Sequence, residues 1–403
     1  MTTSAPARPV IRAADDADWP AITVLSAVGF GADQPPEADA AWRSMVAADG
    51  VVVACDGPDV VGVALYLDMS LTVPGGAVLP MAGVSDVVVA PTHRRRGVLR
   101  DMFTELHRRI ADAGPPIAGL TASEGGIYGR FGYGPATVTQ SLTVRRRDAA
   151  FHAEVPDPGG VRMVRPADHR DRIEEIYERW RLRTPGGLPT PKPLWDDVFA
   201  DRADARAGGT ALFAALHPDG FACYRVHGER PSRTARVTKF AAVTPAAHVA
   251  LWRALLGLDL MDGVDVTTHP GDPLPYLLTD ARRVVTTASV DDLWLRPIDV
   301  PAVLRARRYG ADLTAVVEVA DDALGSGGRY ALRVRDGVAE CAPTGDPADV
   351  HLSRSVLGSL YLGAHRATAF AAAHRLRCDD PALPAALDAA FASDVPAQLG
   401  YGF

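Results

Sequence analysis

The sequence predicts a chain of three units in a mixed α/β and α+β architecture, and three observations carry that expectation. Its 403 residues exceed the size at which one hydrophobic core keeps growing. Between Val87 and Ile110 a strand-like run, a loop of arginines and glycine, and an amphipathic helical pattern follow one another. The opening of the chain is echoed further along, and the final quarter changes to alternating strands followed by helices.

The first unit, residues 1–150, is organised around Val87-Val88-Val89-Ala90-Pro91, a β-branched run that proline stops. Thr92-His93-Arg94-Arg95-Arg96-Gly97 follows. Beyond it Val98, Met102, Leu106 and Ile110 repeat at helical spacing, with Leu99 and Phe103 beside them, up to Gly114-Pro115-Pro116. The first turn of such a helix presents unpaired N–H groups and a positive dipole end, so it welcomes an anion. Gly97 allows close backbone approach and the arginines add attraction. Two readings of these residues stand side by side, a pyrophosphate cradle and an exposed basic loop. Residues 117–122 read as the next strand, ahead of Ser123.

The basic run Arg145-Arg146-Arg147 reads as a solvated face, and Pro156-Asp157-Pro158-Gly159-Gly160 as a linker. In the second unit, 151–295, the segment from Val164 to Asp171 lines up with that from Ile11 to Asp18. Both place a short strand before aspartates at a helix start, then Trp19 and Ile22 or Ile173 and Ile176. The second copy also runs a strand into a proline at Phe240–Pro245, but Ala246-Ala247-His248-Val249-Ala250 holds neither arginine nor glycine. In the third unit, 296–403, Tyr330-Ala331-Leu332-Arg333-Val334 alternates as a half-wet strand does. Val356, Leu357, Leu360 and Tyr361 recur at helical spacing, as do Leu383, Leu387 and Phe391.

A net charge of −7 argues against non-specific nucleic-acid binding and suits cationic small-molecule partners. No apolar run approaches the ~18 residues of a membrane span. Met1 to Pro9 lacks a secretory pattern, so a cytoplasmic location is expected, with export by another route left open. Cys55, Cys223, Cys341 and Cys378 form no C-x-x-C pair, and the histidines show no metal-ligand spacing, so no metal is expected. Hydrolase and nucleotide-kinase readings lack their G-x-S-x-G or Walker loop.

Arg94-x-x-Gly97-x-Leu99 after the valine run resembles the R/Q-x-x-G-x-G/A loop of the GCN5-related N-acetyltransferase (GNAT) superfamily, with Leu99 where glycine or alanine is usual. Three longer strings extend the likeness: Ala90 to Gly97, Ser123-Glu124-Gly125-Gly126-Ile127-Tyr128-Gly129-Arg130-Phe131-Gly132-Tyr133-Gly134, and Ala389-Ala390-Phe391-Ala392-Ser393-Asp394-Val395-Pro396. Together they resemble the actinobacterial "enhanced intracellular survival" (Eis) acetyltransferases over nearly the whole chain. The resemblance implies tandem GNAT domains, the second without CoA, followed by a sterol-carrier-protein-like domain that closes the acceptor pocket. It also implies acetyl-CoA as co-substrate, amines of aminoglycosides and lysine side chains of peptides as acceptors, direct transfer in a ternary complex, and a homohexamer.

Residue by residue, the resemblance implies that the backbone of Val87, Val88 and Val89 meets the pantetheine arm. Arg95, Arg96, Gly97, Val98, Leu99 and Arg100 would hold the pyrophosphate, with Ser123 and Glu124 as a second CoA contact. Ser123 could serve equally as a helix N-cap. Tyr128 matches the general acid and the terminal carboxylate of Phe403 the base, whereas Tyr133 reads as packing. Asp33 and Glu37, in the loop from Gly31, are candidates for the acceptor site, beside the plain reading of two exposed acids. A rival reading keeps the first unit as a CoA sensor and the third as the working part of a lipid-binding scaffold, without turnover.

Overall fold

The computed structural model describes residues 8–33, 35–229, 232–325 and 327–403. Most of the Met1–Pro9 segment and Gln34 in the Gly31–Glu37 loop lie outside them. Among the described residues no helix is long and apolar enough to cross a membrane.

The first stretch of chain runs β1 (Val10–Ala13), α1 (Trp19–Phe30), α2 (Pro36–Arg43), β2 (Val46–Asp56), β3 (Asp59–Thr72), β4 (Val78–Val89), α3 (Val98–Ala113), β5 (Ile117–Thr121), α4 (Gly125–Tyr128), β6 (Gly134–Pro135) and β7 (Val138–Arg145). Asp15 opens the first helical turn by accepting from the N–H of Ala17, and Asp18 pairs with Arg12. α3 forms where the periodicity predicts it, and Met102, Phe103, Leu106 and Ile110 are fully buried against the sheet. Each such side chain contributes roughly 1.5–3 kcal/mol. Gly114, with φ 87°, ends the helix in the left-handed conformation that glycine adopts without strain.

The second stretch repeats the order: β8 (Arg162–Val164), α5 (Arg170–Arg181), α6 (Lys192–Ala200), β9 (Phe213–His217), β10 (Gly220–His227), β11 (Thr234–Ala242), α7 (Pro245–Leu256), β12 (Gly263–Thr268), α8 (Leu274–Leu277), β13 (Val284–Asp291) and β14 (Leu293–Pro297). Ile173 and Ile176 on α5 are fully buried, matching Ile22 on α1. The third stretch has α9 (Val300–Ala306), β15 (Leu313–Ala320), β16 (Gly328–Arg335), β17 (Val338–Pro343), β18 (Val350–Ser353), α10 (Arg354–Leu360), α11 (Ala367–Ala372), β19 (Leu376–Cys378) and α12 (Leu383–Phe391). α10 is buried along its whole length.

The sheets cut across the three expected units. One has the order β1-β2-β3-β4-β5-β14-β6 and another β13-β7-β12-β11-β10-β9-β8, while β17-β16-β15-β18-β19 forms a third. β7 therefore leaves the sheet of its own stretch and pairs with β12 and β13. In return β14 inserts between β5 and β6. Divisions near residues 150 and 295 follow the chain but not its pairing, because the two halves exchange a strand. Arg296 on β14 then donates to the Phe131 carbonyl and to Asp322, which also accepts from Arg354 on α10. This buried network fastens the third stretch to the first sheet.

Candidate active site

The site begins with a defect in β4. Pairing with β3 shifts register between Val63 and Leu65, so that Ala64 faces two residues, Asp86 and Val87. Asp86 takes a positive φ of 50°, the mark of a strand kinked at a bulge. On its other edge β4 pairs in parallel with β5 only at Met81, Ala82 and Gly83. Past Gly83 the two strands part.

A cleft of about 590 Å³ opens where they separate. Val84, Ser85, Asp86 and Val87 line one wall, and Leu120, Thr121, Ala122 and Ser123 another. Tyr128 faces it from α4, Trp19, Ser26 and Phe30 from α1, Asp39 and Trp42 from α2, and Gly402 and Phe403 from the chain's last residues. The tail is fastened there, since the Thr121 hydroxyl donates to the Phe403 oxygen at 2.7 Å. A Cβ on Gly83 would lie 2.2 Å from the Met69 sulfur and 3.0 Å from the Phe403 ring, so the missing side chain makes room first for Met69 and then for the tail.

Tyr128 is 6% exposed and packs its ring at a tilt against Phe103 and edge-on to Tyr133. Burial, and secondarily the Glu124 carboxylate, push its phenol above the ordinary value. Tyr133 is fully buried, with its hydroxyl 2.8 Å from Nε2 of His107, which agrees with a packing role. Asp86 is hydrogen-bonded by the Ser26 hydroxyl at 2.8 Å. Burial raises its carboxyl above the usual range, Ser26 lowers it in part, and Asp39 raises it further.

At the far end of β4 lies the arginine loop. Arg95 has φ 61° and Gly97 φ 84°, and no side chain among the described residues caps the first turn of α3. The exposed guanidiniums of Arg8 and Arg100 lie closest to where a Gly97 side chain would point. His93 is drawn aside into a contact with Asp56 at 3.0 Å. The corresponding turn of the second copy is closed. There Thr244 caps α7 by accepting from the N–H of Ala247, and His248 pairs with Asp272.

Of the residues singled out from sequence, Asp33, Val87, Ser123, Tyr128 and Phe403 share the cleft. Val88 turns its side chain away, into the core beneath α1. Glu124, rather than Ser123, is the N-cap residue of α4, and its side chain makes no cap bond. Glu37 is exposed on the first turn of α2 and does not line the cleft, whereas Asp39 does. Sequence reasoning missed Ser26, Asp39, Asp86, Thr121 and Arg8. The one available signal was Asp86, a charge set directly before a run of three valines.

Residues 10–136 and 186–297 match family models described as acetyltransferase (GNAT) domains, and residues 300–399 a sterol carrier protein domain. N-acetyltransferase Eis of Mycobacterium tuberculosis is 55% identical over 397 residues, covering 96% of this chain and 97% of that protein. The chain belongs to the Eis family of N-acetyltransferases. An uncharacterised N-acetyltransferase of Streptomyces avermitilis is 34% identical over 94% of this chain and 96% of its own. The crystal structure of Eis1 from Mycobacterium abscessus superposes with a TM-score of 0.87 at 30% identity, covering 98% of this chain and 100% of that one.

The family assignment makes the protein an acetyltransferase built of two GNAT domains and a sterol-carrier-like domain, and acetyl-CoA is the donor that GNAT acetyltransferases use. Among the described residues no group of three or more His, Cys, Asp or Glu could hold a metal ion.

Proposed function

We propose that this Eis-family enzyme transfers acetyl from acetyl-CoA to primary amines of aminoglycosides and to lysine side chains of peptides, by direct attack in a ternary complex. The observation that carries the reading is the meeting of Tyr128 and Phe403 in one acid-lined cleft. The donor's pyrophosphate would rest on the uncapped N–H groups of Val98, Leu99 and Arg100, over Gly97, with Arg95, Arg96, Arg100 and Arg8 supplying charge. Its pantetheine arm would take the free edge of β4 at Val87–Val89, with Ser123 opposite in the cleft and the exposed Glu124 beside it along the chain. The capped, arginine-free turn at Thr244 supports a second GNAT domain that holds no CoA.

In the reaction the amine nitrogen attacks the thioester carbon. The C–N bond forms, the C–S bond breaks, and the leaving sulfur takes a proton from Tyr128. The ammonium proton passes to the Phe403 carboxylate, directly or through water. An α-carboxyl of pKa about 3.3–3.7 is a weak base, so proximity supplies much of the acceleration. Asp33, Asp39 and Asp86 attract the cationic acceptor and Trp42 offers an aromatic ring to it, whereas the Trp19 ring carries the Arg43 guanidinium 3.9 Å from its centre. A pocket that recognises charge without one fixed geometry accommodates acceptors of different shape. Edge strand β13, with Val285 and Val290 exposed, is a surface on which the homohexamer could be built.

CoA release in the presence of kanamycin and of a lysine-containing peptide tests the reading. Steady turnover at many times the enzyme concentration is expected with both. Binding of acetyl-CoA without turnover would replace it by the scaffold reading.

A further inference from the structure

The last residues reach the first-unit cleft only by crossing the second unit, and they do so over a half-buried lysine. Lys239 sits on β11, in the copy whose own cradle is closed. Its Nζ lies 4.4 Å from the ring centre of Tyr177 and 5.3 Å from that of Trp195. It donates to the carbonyl of Gly400 at 3.1 Å. Among the described residues no carboxylate pairs with it. An ammonium drawn in among aromatic rings and away from water is costly unless something accepts its protons, and here that acceptor belongs to the tail. Burial lowers its pKa to about 8, so at neutral pH the lysine still carries its charge.

The neighbouring contacts all fix the same few residues. Gln398 N–H donates to the Pro185 carbonyl at 2.9 Å, and the Tyr401 hydroxyl donates to the Pro189 carbonyl at 3.1 Å. The Tyr177 hydroxyl, held by the Leu188 carbonyl at 2.8 Å, presses so close to Gly400 that a Cβ there would lie 2.1 Å from it. Only Gly402 and Phe403 remain beyond this clamp, and both line the cleft.

We propose that Lys239, with Tyr177 and Trp195, is a positioning site for the chain's own C-terminal tail, fixing Gly400 and thereby the place of the Phe403 carboxylate in the active cleft. The second GNAT unit thus acts on catalysis by holding the tail. The catalytic part of this inference rests on the role proposed above for Phe403, whereas the docking part does not.

Lys239→Met keeps the side chain's length and removes the charge. With kanamycin, kcat should fall roughly 10-fold or more, as expected when a reacting group is displaced by about 1 Å. The acetyl-CoA KM should stay within about twofold. In a chain lacking Phe403 the same substitution should cost no more than about twofold further, since the two changes act through one group. Carboxypeptidase should release Phe403 faster from Lys239→Met than from the parent.

Unchanged kcat together with an unchanged release rate overturns the proposal. Full activity of the chain lacking Phe403 removes the carboxylate from the mechanism, and the release rate then decides the docking by itself. If Lys239→Met fails to fold, a second pair decides. Gly400→Ala should release Phe403 faster and lose activity, and Tyr177→Phe, which removes the colliding oxygen, should restore both relative to Tyr177→Phe alone. A Gly400→Ala enzyme as active and as protease-resistant as the parent overturns the inference.

Discussion

Replacing Tyr128 by phenylalanine isolates the proposed acid from everything else the residue does. Its ring centre lies 6.0 Å from Phe103 and 6.4 Å from Tyr133, contacts that a phenyl ring retains. Among the described residues its hydroxyl has no hydrogen-bond partner, so the change orphans nothing, and stability should move by no more than about 0.5 kcal/mol. Alanine is the poorer test, because a buried aromatic lost from this core costs about 3–5 kcal/mol on its own account. A positioned general acid is worth about 10²- to 10⁴-fold. That is about 2.7–5.4 kcal/mol of barrier, about five to ten times the expected change in stability. CoA release with saturating kanamycin should therefore fall by at least about 100-fold while the urea midpoint and the CoA dissociation constant hold. The pH profile adds a second check. Burial and Glu124 both push the phenol above 10.0, so the acid stays protonated across the working range and contributes no alkaline limb below that value. A Tyr128→Phe enzyme within about twofold of the parent would refute the reasoning, because a true proton donor contributes far more than that.

Asp86→Asn should raise the kanamycin KM about 10-fold, the worth of one charge-assisted hydrogen bond in a half-buried cleft, and leave the acetyl-CoA KM alone. Because burial raises the Asp86 carboxyl, the parent's acceptor KM should climb on the acid side at a higher pH than an ordinary aspartate dictates. That limb should vanish in the asparagine variant, and its persistence would assign it to another group. Arg95→Ala combined with Arg96→Ala should raise the acetyl-CoA KM about 10-fold at low ionic strength and less in high salt, with kcat retained. A fall in kcat alone would place the pyrophosphate elsewhere. Thr121→Val removes the 2.7 Å bond to the Phe403 oxygen and should lower kcat by about 10-fold, since hydrogen bonds to charged groups contribute about 1.5–3 kcal/mol. His107 is fully enclosed, and burial, then Arg296, depress its pKa to about 3. A depressed folded pKa stabilises above the unfolded value of 6.5, and the contribution is lost as pH falls from there toward 3, at up to about 1.36 kcal/mol per unit. Urea midpoints measured across that window should decline more steeply for the parent than for His107→Gln, and equal slopes would show that His107 titrates normally.

What could be read in the sequence was local. The α3 stripe declares itself because Val98, Met102, Leu106 and Ile110 need only helical spacing to share a face, and each is buried as that spacing predicts. The loop before it is legible for the same reason, since Gly97 and the first turn of α3 are neighbours along the chain. The likeness between Ile11–Asp18 and Val164–Asp171 was enough to announce two copies, and β1 with α1 and β8 with α5 follow it. Illegible were the features made by pairing across long separations. Nothing near residue 140 announces that β7 will pair with β12, and nothing near residue 293 that β14 will enter the first sheet. Asp86 gains its position from a bulge set by β3, Thr121 its role from the far end of the chain, and Lys239 its acceptor from Gly400. The second unit shows the limit most clearly. Its sequence reveals that the arginine–glycine turn is gone, and that alone suggests a domain kept only for bulk. Its fold brings Lys239, Tyr177 and Trp195 together beneath the tail. On the reading proposed above, in which this copy holds no CoA, a phosphate-binding turn has given way to a tail-binding face, because the two demands fall on different groups near the C-terminal end of β11: backbone N–H groups in the loop after Ala242 and the Lys239 side chain within the strand.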